Sequence, residues 1–259
     1  MLSVAGATFR AMAEVSMADL TGHEFHVFEN VVFREVGFER VVMRGVDVVD
    51  LEIHGEIGRL VVNGVEVGPY VEAELDRRHP DRAAMRPTDA AGFRHAWDLV
   101  EAFWATTVDD ARTLDEDLLH ERVDGEFSFV QTLRHLSFAT DCWVRRAVLG
   151  DPAPWDPLGL PWEGMPPTPG VPDDRGARPS LATVLDLRRD RMATVRAVVD
   201  GLTDAGVTAL TTPVDGPGWP RAGAFEVGHC LRVVLNEEWQ HHRFARRDLA
   251  VLTARVAAS

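Results

Sequence analysis

The sequence predicts an α+β chain: a short N-terminal β-solenoid followed by a four-helix bundle. Three observations carry this reading. From about Ala13 to Ile53 apolar residues recur at every fifth position, from Thr88 to Val256 four long stretches carry them at spacings of three and four, and a charged stretch ending in Pro80 and Pro87 separates the two regimes. With 259 residues the chain has room for two domains. The organisation is therefore read as a solenoid with a closing hairpin over residues 1–67, a linker over 68–87 and a bundle over 88–259.

The period of five is the least ordinary feature. Ala13, Val15, Ala18 and Leu20 start it and Phe25 extends it, before a three-residue phase shift at Phe28. Phe28, Phe33, Phe38, Met43, Val48 and Ile53 then form one ladder, and Val31, Val36, Val41, Val46 and Leu51 form a second, two residues earlier in each repeat. Neither a helix, which repeats every 3.6 residues, nor an alternating strand keeps such a pattern on one side, whereas a stacked coil with inward ladders does. The pattern resembles the pentapeptide-repeat family, which implies a four-sided β-helix of about 20 residues per coil. In most copies Val replaces the small residue that this family prefers before the bulky centre. Residues 1–67 carry 11 acids and 5 arginines. That acidity permits imitation of duplex DNA, but some two coils match little of a charge spacing of about 1.7 Å, so a packing or contact module is the favoured role. Leu60 to Val67 then reads as two short strands around Asn63-Gly64.

The whole chain has 41 acidic and 27 basic residues, a formal charge of −14, and every basic residue apart from histidine is Arg. Such a charge argues against a nucleic-acid partner. Two cysteines, Cys142 and Cys230, are too few for a disulfide framework and suit a reducing cytoplasm. The first residues lack a cationic region followed by an apolar run, and no apolar stretch approaches about 18 residues, so neither export nor a membrane is expected.

In the second regime, Thr88 and Asp89 cap a first helix to about Leu114, with Phe93, Trp97, Val100, Trp104 and Val108 on one side. Ser128 and Gln131 form a capping box opening a second helix to about Leu149, stopped by Gly150 and Pro152. Pro179-Ser180 opens a third through Val199, whose one side runs Leu181, Leu185, Arg188, Met192, Val195 and Val199. The fourth spans about Phe225 to Val256. Residues 151–179 between the second and third helices hold 9 of the 15 prolines, with Trp155 and Trp162. So long a segment without secondary structure is read either as a cover over one end of the bundle or as an ordered crossover.

The fourth helix has an inward face of Val227, Leu231, Val234, Glu238, His242, Ala245, Leu249, Leu252 and Val256. Two members are not apolar, and an unpaired carboxylate in a dry interior needs a cation or a dense set of hydrogen bonds. The second helix carries His135 on the side lined by Phe138, Ala139 and Cys142. His135, Glu238 and His242 together make three N/O ligands from two helices and leave one position open, the composition of a catalytic divalent site. Zinc is the first expectation, and nickel, iron or manganese also fit. Glu237 and His241 have the same spacing, but their face, with Cys230, Val234, Phe244 and Asp248, is less continuously apolar. The Glu238/His242 register is therefore preferred, and a metal-free polar core remains the plain alternative.

The segments LRHLSFATD and NEEWQHHRFARRDL resemble the DinB-like superfamily, whose metal triad is a His on helix two and a His-xxx-His on helix four. Here Glu238 stands for the first His of that pair, and mycothiol-dependent maleylpyruvate isomerases in the superfamily use His, Glu and His in this way. The resemblance covers about Thr88 to Leu252. It implies a metal-dependent thiol transferase or isomerase whose partners are a small thiol such as mycothiol and an electrophilic substrate; a homodimer is left open. The alternative is a non-catalytic scaffold with a structural metal and an acidic repeat as its contact surface.

Overall fold

The computed structural model describes residues 7–14, 25–33, 37–55 and 57–258, which divide into two units, Met1–Glu56 and Ile57–Ser259. In the first unit β1 (Ala7–Glu14) and β2 (Phe25–Val32) pair in parallel, Ala7 opposite Phe25 and Phe9 opposite Phe28, an offset of 18 or 19 residues. Residues 37–55 carry no strand, yet the backbone bends at Arg40, Gly45, Val49 and Gly55, at intervals of four to six residues. Arg40, Gly45 and Gly55 make their bends with positive φ. Phe33 and Phe38, consecutive members of one ladder, meet edge to face with ring centroids 5.6 Å apart.

The ladders do not enclose a core among the described residues. Phe38, Met43, Val48 and Ile53 are 63%, 62%, 51% and 48% exposed, and Val41, Val46 and Leu51 are exposed as well. One parallel pair of strands supplies a single layer, and an apolar face is buried only when a second layer lies against it. Ala13, Val15, Ala18, Leu20, Phe25, Phe28 and Val36 lie outside the residues whose side chains are described.

The second unit starts with the expected hairpin, β3 (Val61–Val62) antiparallel to β4 (Val65–Glu66), turned by Asn63 and Gly64 at positive φ. The stretch 68–87, expected as a linker, is instead largely helical: α1 (Gly68–Arg78) is followed by a 3-10 turn over Pro80–Met85. Its charges pair internally, Arg82 reaching Glu72 and Asp76 at 2.7 Å each, while Met85 is buried in the bundle core and the His79 ring packs on Trp239. Charge and proline suggested a tether, but in this short segment the charges satisfy one another and leave an apolar residue to dock.

The four long helices follow the expected boundaries closely. Helix α2 (Ala90–Ala111) is capped by Asp89, whose carboxylate accepts from the Gly92 amide at 2.7 Å. Helix α3 (Phe129–Thr140) opens on the complete Ser128/Gln131 capping box and continues as a π-helical stretch, Asp141–Val148. Helix α4 (Leu181–Asp200) is capped by Ser180, α5 (Asp204–Val207) is a single turn, and α6 runs Val227–Ala257. Around the bundle α2 neighbours α4 and α6, and α3 neighbours the same two, so α4 stands diagonally opposite α6. Phe93, Trp97, Val100 and Trp104 from α2 meet Val130, Leu133 and Leu136 from α3, Val184 and Val195 from α4, and Leu231, Val234 and Leu249 from α6 in one core.

The proline-rich segment 151–179 is an ordered cover on α3. Leu160 is fully buried, Trp155 stacks on Phe138 with centroids 5.5 Å apart, and Trp162 meets Trp219 at 5.2 Å. Two buried arginines hold it by main-chain carbonyls. Arg134 donates to Leu158, Asp174 and Ala177, and Arg146 donates to Pro152 and to Val214, Asp215 and Gly216 of the segment before α6. At Gly218, φ is +144° and a Cβ would lie 2.7 Å from the Trp155 ring, so only glycine fits beneath it. No helix among the described residues is long and apolar enough to cross a membrane.

Candidate metal centre

Residue by residue, α6 turns by about 100°, so three consecutive faces look at three different neighbours. Glu237 and His241 face α3. There the Glu237 Oε2 lies 3.4 Å from His135 Nε2 and 3.3 Å from His241 Nε2, and the two imidazole centroids are 4.8 Å apart. One ligand atom from each residue lies within 4.8 Å of the others. A tetrahedral ion with bonds of about 2.0–2.1 Å separates its ligand atoms by about 3.3–3.4 Å, so two of the three edges already have the length an ion would need.

The site is graded in exposure. The His135 side chain is 8% exposed, that of His241 18% and that of Glu237 33%, which leaves the open side at the rim of the α3–α6 seam. Phe127 is stacked beside His241 and tilted against His135, with centroids 6.3 and 5.3 Å away, and Phe244 stands edge-on to His241 at 6.2 Å. Burial works to raise the Glu237 carboxyl, but the hydrogen bonds and charge of His135 and His241 win and hold it below the ordinary carboxylate range. Burial pushes the His241 imidazole downward against the pull of Glu237. A carboxylate held ionised, beside an imidazole at His241 that burial drives towards its neutral form, suits the deprotonated ligands a divalent cation requires.

The preferred register, His135 with Glu238 and His242, is not the one that converges. His135 stands where it was expected; Glu238 and His242 are buried, as their stripe predicted, but each has another partner. Glu238, 1% exposed, points across the bundle to α4, where Arg188 Nη2 donates to Oε1 at 2.9 Å and to Oε2 at 2.8 Å. The cation beside it is the Arg188 guanidinium. Burial pushes the Glu238 carboxyl upward and Arg188 opposes it. The signal was present in the sequence: Arg188 interrupts the apolar side of α4 as Glu238 interrupts that of α6, and two interruptions on facing stripes find each other.

His242 faces α2. Its Nε2 lies 2.9 Å from the Thr107 hydroxyl, and its ring stacks on Phe103 and meets Trp104 edge-on. Burial, with Arg246 adding to it, pushes its imidazole from 6.5 down to about 4. The sign follows from linkage: between pH 6.5 and 4 the unfolded chain binds this proton and the folded one does not, so stability is full above about 6.5 and falls as the pH drops. In chelator, acid should remove up to ~3 kcal/mol through this group, and His242→Gln should flatten the stability profile between pH 7 and 4.5. Urea melts at several pH values measure it, and an unchanged profile would assign the acid sensitivity elsewhere. Cys142, on the same side of its helix as His135, is buried in the π-helical stretch and stands outside the cluster; burial pushes its thiol well above its ordinary range.

A helical bundle with two histidines and a glutamate converging in one interhelical seam defines a candidate metal-binding bundle. The chain belongs to the DinB superfamily, whose family model matches residues 93–245, more than half of the sequence and every residue of the cluster. No curated protein and no solved structure matches the chain.

Proposed function

We propose that this protein binds a divalent cation through His135, Glu237 and His241 and uses it to activate a low-molecular-weight thiol for transfer to, or isomerisation of, an electrophilic substrate. The observation that carries the reading is the convergence of the three ligand atoms, with Glu237 Oε2 set 3.3–3.4 Å from both imidazole nitrogens at the exposed side of the seam. Two nitrogens and one carboxylate favour zinc, and nickel, iron and manganese accept the same donors. A bound divalent ion would supply the electrostatics that bring a coordinating thiol to its thiolate near neutral pH. The chain's own part is to hold three ligands and keep the fourth direction open. Phe127 lies beside both imidazoles and Phe244 beside His241, so apolar rings flank the ligands. His135, Glu and His in this arrangement are the ligand types of the mycothiol-dependent branch of the superfamily, which favours mycothiol as cosubstrate. Two buried, unpaired cysteines suit a reducing cytoplasm.

A second reading, a contact or scaffolding role for the first unit, is supported by the exposed Phe38, Met43, Val48 and Ile53. The parallel offset of 18–19 residues, close to the roughly 20 of one coil, and bends at intervals of four to six residues support a pentapeptide-repeat coil as the form of that surface.

The test is metal analysis of the purified protein, followed by consumption of mycothiol, bacillithiol and glutathione with an electrophilic acceptor, with and without chelator. About one ion per chain and chelator-sensitive consumption of one thiol are expected. Absence of metal after zinc, nickel, iron and manganese are each supplied would end the metal reading. Metal without turnover of any thiol would end the transferase reading and favour the scaffold.

A further inference from the structure

We infer that the proline-rich segment 151–179 is a working part of the metal centre, and that Arg134 is the positioning residue that makes it one. The inference rests on the metal-binding reading above and adds to it how the site is kept ready for the ion.

His135 is held from behind. Its Nδ1 lies 2.9 Å from the Leu160 carbonyl oxygen, which can only accept, so Nδ1 carries a proton and, in the neutral ring that ligates an ion, Nε2 is the nitrogen with the lone pair, facing Glu237 and His241. An imidazole without that partner divides between two tautomers, and one of them has no lone pair on the ligating nitrogen. The carbonyl that makes the choice belongs to an irregular segment with no helix or strand to fix it.

What fixes it is the residue before His135. Arg134 is fully buried, and its guanidinium donates from Nε to Leu158 at 2.8 Å, from Nη1 to Ala177 at 3.1 Å and from Nη2 to Asp174 at 2.6 Å. Its own carbonyl accepts from the Leu160 amide at 3.3 Å. One side chain therefore ties two distant points of the segment together two residues from the carbonyl that matters. Pro161 restricts the backbone of Leu160, the residue before it, while the Leu160 side chain is fully buried. The consequence is a preorganised ligand: the ordering of His135 is completed by folding, so binding an ion does not have to supply it. Groups that orient a metal-ligating histidine in this way are worth roughly 10- to 100-fold in affinity.

Arg146 provides the control, because it clamps carbonyls of Pro152, Val214, Asp215 and Gly216 by the same chemistry without touching His135 or Leu160. The experiment compares wild type, Arg134→Met and Arg146→Met in two measurements: the His135 tautomer in the metal-free protein, by long-range ¹H–¹⁵N correlation, and zinc affinity by competition with a chelator. Wild type and Arg146→Met should show the Nδ1–H form alone and equal affinities. Arg134→Met should show mixed tautomers and bind zinc about 10- to 100-fold more weakly. If Arg134→Met does not fold, Arg134→Lys takes its place, with a smaller shift in the same direction. The proposal is overturned if the Arg134 variant keeps the Nδ1–H form and wild-type affinity, or if Arg146→Met weakens zinc as much. Should wild type take up no zinc, the metal reading fails, whereas the tautomer comparison still decides whether Arg134 positions His135.

Discussion

Glu237→Ala should lower zinc affinity by about 100-fold or more, while the unfolding free energy of the metal-free protein changes by no more than about 1 kcal/mol. The first half follows from geometry. Glu237 Oε2 is the atom common to both short separations in the cluster, and removing it leaves His135 and His241 as a two-nitrogen site with no charge to offset the cation. The second half follows from exposure: a third of that side chain faces solvent, and its partners are imidazoles rather than permanent cations. Calorimetric zinc titration and a urea melt in chelator measure the two halves. A variant that still binds within tenfold of wild type would mean that the ligands lie elsewhere on α6.

The neighbouring carboxylate should behave in the opposite way. Glu238→Leu should destabilise the fold by about 3–5 kcal/mol and leave zinc affinity within a few-fold, because it strands the Arg188 guanidinium in the bundle interior, where the side chain is only 3% exposed. Arg188 is already incompletely served: both contacts to Glu238 come from Nη2, and Nη1 has no hydrogen-bond partner among the described residues. Arg188→Met alone should cost a similar amount by stranding the carboxylate. The double variant should recover most of the loss, since two apolar side chains of similar volume need no desolvation of charge. Melts of the four proteins give the coupling energy. If the two single losses simply add, the pair is not an energetic unit; if Glu238→Leu abolishes zinc uptake while remaining folded, Glu238 belongs to the metal site after all.

These two variants bracket what could be read in the chain beforehand. Burial of the α6 stripe was legible, since Leu231, Val234, Glu238, His242, Ala245, Leu249 and Leu252 are all buried. The driest stripe was preferred as the ligand face, whereas the ligand atoms that converge on His135 come from the less continuously apolar face, Glu237 and His241, where the core meets solvent. His135 was identifiable because it breaks an apolar side of α3 that faces another helix. The role of Leu160 was not legible at all: it acts through a backbone carbonyl, which every residue possesses and no sequence marks.

The sequence by itself determined the local structure: the caps at Asp89, Ser128 and Ser180, the Asn63-Gly64 turn, the helix spans and the stripe that α6 buries. These depend on side chains a few residues apart competing for nearby amides or sharing one helical face, and such interactions are written in spacing. Only the tertiary structure decided which of two Glu-xxx-His pairs meets His135, because that depends on how far α6 is rotated about its axis relative to α3. A rotation of about 100°, one residue, exchanges the pairs. The rotation is set by the packing of the whole bundle, and one determinant of it is the reach of Arg188 from the opposite helix to neutralise Glu238.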